Sequence, residues 1–182
     1  MSTKFANHFQ RALLVITTSL GIVSCQWSPQ PLVLVETTIG EIQHALVTRK
    51  TTCHEVVSTY LQRIESYDKS SGINAITVIN PEALSRAEEV DRALVSNSPL
   101  PELFCTPIVV KDNFDTHDMI TTGGSITLQE NYPPDDAFMV RKLRNAGAII
   151  VAKTNMAEWA FSPRETVSSS FGRTANAYDI NF

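Results

Sequence analysis

The chain has 182 residues, 43% of them hydrophobic and 19% charged, with 7 Gly and 9 Pro, which is enough apolar material for one core and excludes collagen-like, coiled-coil and largely disordered classes. Fifteen Lys and Arg against 19 Asp and Glu leave a net charge of -4 and no broad basic surface, so nucleic acid is not an expected partner. The cysteines, Cys25, Cys53 and Cys105, lack the close pairing of a structural zinc site and are too few for a disulfide scaffold, so no metal is expected and the framework is a hydrophobic core.

Residues 1–25 read as a secretory leader. Lys4 and Arg11 precede the apolar run from Ala12 to Val23, and no acidic residue occurs before Glu36. The run falls short of the roughly 20 residues a membrane-spanning helix needs. It ends either in plain cleavage after Cys25, the first reading, or in a lipobox-like Ile22-Val23-Ser24-Cys25 with Cys25 acylated. That lipid anchor is the one membrane association expected, and a buried N-terminal helix is the plain alternative. The expected location is secreted or extracytoplasmic. Export lets Cys53 and Cys105 pair, with two free core thiols as the equal alternative. Residues 26–37, with Pro29 and Pro31, read as a linker, and residues 38–182 as the folded domain.

Thr38 and Glu41 form a capping box ahead of a stripe of Ile39, Ile42 and Leu46, and Thr52 and Glu55 repeat it ahead of Val56, Tyr60, Leu61 and Ile64, so two helices open the domain. Asn74 to Ile79 is short and β-branched, bounded by Gly72 and Pro81, and reads as a strand. Asn80 can cap a third helix carrying Leu84, Ala87, Val90 and Leu94, with Pro81 in its first turn. After a loop from Ser96 to Pro101, Pro107 to Lys111 is the next strand. Asp135 caps a helix through Met139, Leu143 and Ala146 that Gly147 ends, and Ala148 to Ala152 follows as a strand. Apolar strands alternating with helices imply an α/β class with a largely parallel sheet covered by helices.

Lys111 ends an apolar strand, where alternation places it with Val109 and Asn113 and opposite Val110 and Asp112. A lysine desolvated there without a carboxylate partner loses part of its reason to stay charged and could accept a proton from a hydroxyl. The bland alternative is a strand-end lysine reaching water along its methylenes. Gly123-Gly124-Ser125 could offer amides to an anion or a substrate carbonyl, although it lacks phosphate-loop spacing. His117 between Asp115 and Asp118 invites a triad or a metal site, but no second His or Cys is placed to complete a shell, and a solvated loop is the plainer reading. Trp159 reads as core packing, and Arg141, Lys142 and Arg144 as a solvated helix face.

Four segments carry a resemblance. Thr106-Pro107-Ile108-Val109-Val110-Lys111-Asp112-Asn113, Thr121-Thr122-Gly123-Gly124-Ser125, Ala152-Lys153-Thr154-Asn155-Met156-Ala157-Glu158-Trp159-Ala160 and Ser169-Ser170-Phe171-Gly172-Arg173-Thr174-Ala175-Asn176 resemble, in order and spacing, the successive motifs of the amidase signature family. The match runs from about Ile39 to Phe182. The resemblance implies a mixed central β-sheet between helical layers and hydrolysis of a carboxamide bond in a small-molecule amide by a Ser–cis-Ser–Lys triad, with no cofactor and no metal. The family's lysine maps onto Lys111, while Lys153 takes a supporting position. Gly124, Ser125, Ser169 and Ser170 map onto substrate-side loops and are not promoted to nucleophile. The family's two triad serines follow the asparagine matching Asn176, so these residues contain neither, and an inactive N-terminal part of an amidase domain is expected. The alternative is a catalytically dead binding or regulatory module. Transamidation with a partner protein fits poorly with an exported chain.

Overall fold

The computed structural model describes residues 33–181; the leader, Cys25 and the two linker prolines lie outside the described residues. Helices α1 (Ile39–Val47) and α2 (Cys53–Tyr67) start where their capping boxes place them. The Thr38 hydroxyl accepts the Glu41 amide at 3.2 Å while Glu41 accepts the Thr38 amide at 2.8 Å, and Thr52 and Glu55 repeat the exchange at 3.1 and 3.0 Å. Two donors are satisfied in each case that a helix start otherwise leaves open. Asp91, from the third helix, accepts the next two amides of α2, those of Cys53 at 2.6 Å and His54 at 3.0 Å. A carboxylate there also suits the positive end of the helix dipole.

The remaining elements are β1 (Ile76–Ile79), α3 (Ala83–Val95), β2 (Thr106–Lys111), α4 (Phe138–Asn145), β3 (Ala148–Thr154), β4 (Thr166–Ser168) and β5 (Gly172–Thr174). Strand β3 is central, antiparallel to β1 and parallel to β2, while β4 and β5 form a separate hairpin. The sheet is therefore mixed, which corrects the largely parallel arrangement inferred from element order. Among the described residues, β2–α4–β3 is the one parallel crossover unit; β1 joins the other edge of β3 and runs against it. Strand β1 is also shorter than expected, because Asn74 sits at φ 51° and breaks the extended path.

Side chains of β3 alternate between two cores. Ile149 and Val151 pack with Ile42, Leu46, Val56, Val57, Ala83 and Ala87 of α1 to α3, whereas Ile150 joins Val110, Met119 and Val140 under α4. Residues 148–153 are all buried, which is why the segment reads as an unbroken apolar run with one lysine in it. Leu34, ahead of α1, is already packed into the first core. A disulfide joins Cys53, the first residue of α2, to Cys105, the residue before β2, across 52 positions. Both half-cystines are fully buried.

Helix α4 departs from its expected start. Asp135 is exposed and makes no cap; instead the Ala137 amide donates to the Asp115 carbonyl at 2.9 Å and the helix begins at Phe138. Its inward residue is Val140, one position on from the exposed Met139. Gly147 ends it as expected, at φ +95°, and a Cβ there would lie 2.5 Å from Pro101 Cγ and 2.9 Å from the Phe104 backbone. Both the left-handed turn and the close approach demand glycine.

Candidate active site

The site grows from the carboxyl ends of β2 and β3. Val109, Lys111 and Asn113 are exposed while Val110 and Asp112 are buried, as strand alternation requires. Lys111 therefore stands free at the end of β2 and forms no ion pair among the described residues. Asp112, on the opposite side, is fully buried 3.4 Å from the equally buried Lys153. The Lys153 ammonium donates to the Phe114 carbonyl at 2.7 Å, the Thr121 hydroxyl at 2.8 Å and the Ile120 carbonyl at 3.3 Å. Burial pushes the Lys153 amine below the ordinary lysine range, and the Asp112 charge opposes that shift.

This buried pair organises the loop that follows β2. Asp112 accepts the Thr122 amide at 3.3 Å and also its hydroxyl, and its own carbonyl accepts the Gly123 amide at 3.0 Å. The Gly124 amide donates to the Thr122 hydroxyl and the Ser125 amide to the Thr122 carbonyl, both at 3.0 Å. All three amides of Gly123, Gly124 and Ser125 are thus engaged within the loop. Gly124, at φ +80°, runs against the next motif: a Cβ would lie 3.0 Å from both Glu158 Cα and the Met156 carbonyl.

Glu158 gathers the residues expected to border a substrate. Its carboxylate accepts the Ser169 amide at 3.1 Å, and hydrogen bonds from Ser169 and then Ser125 hold it below the usual carboxylate range. The Ser169 hydroxyl accepts the Ile126 amide at 3.0 Å, and the Ser170 amide reaches the Gly124 carbonyl at 3.4 Å. The Ser170 hydroxyl is buried without a partner. Gly124, Ser125, Ser169 and Ser170 are consequently one cluster. The Lys111 side chain makes no hydrogen bond to this cluster among the described residues; its neighbour Asp112 does, through its carbonyl and the Gly123 amide. The hairpin carrying the serines is pinned by Asn74, whose amide donates to the Phe171 and Arg173 carbonyls at 2.8 Å, and by Asn155, which donates to the Gly172 carbonyl at 3.0 Å.

The Amidase family pattern matches residues 55–182. The chain belongs to the amidase signature family. It is 36% identical over 144 residues to a glutamyl-tRNA(Gln) amidotransferase subunit of Prochlorococcus marinus, covering 79% of this chain and 29% of that protein. To the corresponding protein of Geobacter sulfurreducens it is 40% identical over 148 residues, covering 81% and 30%. Among solved structures, peptide amidase from Stenotrophomonas maltophilia superposes with a TM-score of 0.75 at 35% identity, covering 80% of this chain and 31% of that one. The chain spans under a third of the length of these amidase-family relatives.

Three side chains that hold this candidate site together carry no local signal in the sequence. Glu158 lies in one of the four motifs, yet nothing near it announces that it faces Ser125 and Ser169. Asp112 is a poor partner for Lys111 by alternation, and its pairing with Lys153, 41 positions away, becomes visible only once β2 and β3 are known to be parallel neighbours. Thr122 is the third. Trp159 is not core packing: it is 60% exposed at φ 53°, its amide donating to the Gly123 carbonyl at 2.9 Å, because the chain turns left-handed there to meet the glycine loop. Arg144 is not a solvated residue either, since it pairs with the buried Asp118 at 2.7 Å and with Asp136 at 3.0 Å.

Proposed function

We propose that these residues form the lysine-bearing part of an amidohydrolase that cleaves a carboxamide bond, with Lys111 as the base of a Ser–cis-Ser–Lys relay. The observation that carries the reading is the pairing pattern of the two strand-end lysines. Lys153 is buried and fully hydrogen-bonded, whereas Lys111 is exposed at the end of β2 and forms no ion pair among the described residues. In the neutral form its amine takes the proton of a bridging serine, which takes that of the nucleophilic serine; the nucleophile adds to the amide carbon, the amine leaves with a proton, and water releases the acid. Neither triad serine is assigned to Ser168, Ser169 or Ser170; the reading places both beyond Asn176 in the family order, outside these residues. Gly124, Ser125, Ser169 and Ser170 border the substrate. The reaction needs no metal and no organic cofactor at the scissile bond. The Cys53–Cys105 cross-link supports an extracytoplasmic location, where such bonds persist.

The test is hydrolysis of simple amides by the 182-residue chain beside a version extended by the downstream coding sequence. Turnover is expected only in the extended form, and Lys111→Met there should lower kcat by about 10²–10⁴-fold. Activity of the short chain, or an unchanged kcat in Lys111→Met, refutes the assignment.

A further inference from the structure

On the α4 side of the sheet, away from Lys111, ligand-capable atoms of Glu82, His117 and Asp118 lie within 4.8 Å of one another. We propose that these three residues bind a first-row divalent cation of the Zn²⁺ type, which fastens the loop after β2 to the start of α3.

Asp118 carries the argument. Its side chain is only 1% exposed, and one oxygen, Oδ2, accepts the Arg144 guanidinium at 2.7 Å and the Asn80 amide at 2.8 Å. The other, Oδ1, is buried with no partner. A buried carboxylate oxygen left unpaired is uncommon and calls for a donor or a cation. The neighbouring ligands are preset in the same way. His117 Nδ1 is 2.9 Å from Asp136 Oδ1, which leaves Nε2 free, and Asp136 is itself held by Arg144 at 3.0 Å. Carboxylate–histidine pairs of this kind orient imidazole ligands in metal centres. Glu82 Oε2 is taken by Arg86 at 2.9 Å, leaving Oε1.

One imidazole nitrogen and two carboxylates make a mixed N/O set suited to Zn²⁺ and its first-row neighbours, with water completing the shell. Ligand atoms around tetrahedral zinc stand about 3.3–3.5 Å apart, so separations of up to 4.8 Å must close by up to about 1.5 Å. Glu82 and His117 can supply that movement: His117 is 38% exposed, while Asp118 is fixed from behind. The sequence shows Asp118 beside His117 but gives no sign of Glu82, which precedes His117 by 35 positions on a different element.

The test is titration of Zn²⁺ onto the full chain in a Cys25→Ser background, followed by calorimetry and, with Co²⁺ as a spectroscopic substitute, by visible absorption. One saturable site of micromolar or tighter Kd is expected, with a rise in Tm. Both His117→Ala and Glu82→Gln should weaken binding at least tenfold and remove the Co²⁺ bands, while Glu88→Gln, on the exposed face of α3, should not. Circular dichroism confirms that the variants fold. Absence of a saturable site, as when water alone occupies Asp118 Oδ1, overturns the proposal. So does a Kd unchanged within twofold in both ligand variants.

Discussion

Breaking the Cys53–Cys105 cross-link, which lies within the first core, should strongly destabilise the fold. The bond closes a loop of 52 residues. Closing a loop of that length removes about 14 cal/mol/K from the denatured chain, or about 4 kcal/mol at 25 °C. With a urea slope of about 2 kcal/mol/M for a domain of this size, the unfolding midpoint of the reduced protein should fall by about 2 M. The Cys53→Ala/Cys105→Ala variant should fall at least as far, since both side chains are fully buried and the sulfurs leave a cavity. The assay is urea unfolding by circular dichroism with and without reductant. It is paired with a thiol count on the denatured, unreduced chain, where one reactive thiol out of three cysteines is expected. Three reactive thiols, or a midpoint indifferent to reductant, would refute the cross-link and with it the support for an extracytoplasmic location.

Asp112→Asn leaves the Lys153 charge buried without its counter-ion and should destabilise the chain by about 3–5 kcal/mol; an unchanged urea midpoint would show that the pair is not ionised. Gly124→Ala forces a side chain into φ +80° and against backbone 3.0 Å away, and should cost about 1–3 kcal/mol by the same measurement, while Gly40→Ala, with open space around it, should cost nothing. Glu41 and Glu55 are both held below the usual carboxylate range, chiefly by the amides of Thr38 and Thr52. The unfolded chain then binds more protons than the folded one as the pH drops. Their contribution is complete above the ordinary glutamate value of about 4.3 and is lost as pH falls through the lower folded values. Midpoints at pH 7, 5 and 3 should show that loss, and Glu41→Gln/Glu55→Gln should flatten it.

The parts legible in the sequence are those fixed within a few residues. Both capping boxes, the glycine stop at Gly147 and the side on which Lys111 leaves β2 follow from local rules, and each holds in the structure. The strands and helices themselves are recoverable, because β3 is apolar throughout and the helices carry one-sided stripes. What local pattern does not supply is pairing across the chain. Asp112 with Lys153, Asp118 with Arg144 and Glu158 with Ser169 are separated by 41, 26 and 11 positions, and each pair meets only after the sheet is assembled. The same blindness accounts for the corrected expectations. Asp135 is the right residue type for a cap, but the backbone of Asp115, on another segment, takes the Ala137 amide. Arg144 sits among cations and has the local look of a solvated residue, although a buried carboxylate waits for it on the loop after β2.

Under the proposed mechanism, those long-range pairs distinguish the two strand-end lysines. An ammonium has three protons to donate and no lone pair until one is lost. At Lys153 all three are spent on Phe114, Ile120 and Thr121, with Asp112 beside them to favour the charge, so proton transfer from a hydroxyl would have to dismantle the loop that presents Gly124 and Ser125. Because alternation turns Asp112 inward, the carboxylate nearest in sequence to Lys111 is committed to Lys153 and cannot hold the Lys111 amine. The buried pair fixes the glycine loop, and under the proposed mechanism it also withholds the Asp112 carboxylate from Lys111. Replacing Asp112 should accordingly damage the site through its geometry even though that carboxylate touches no substrate.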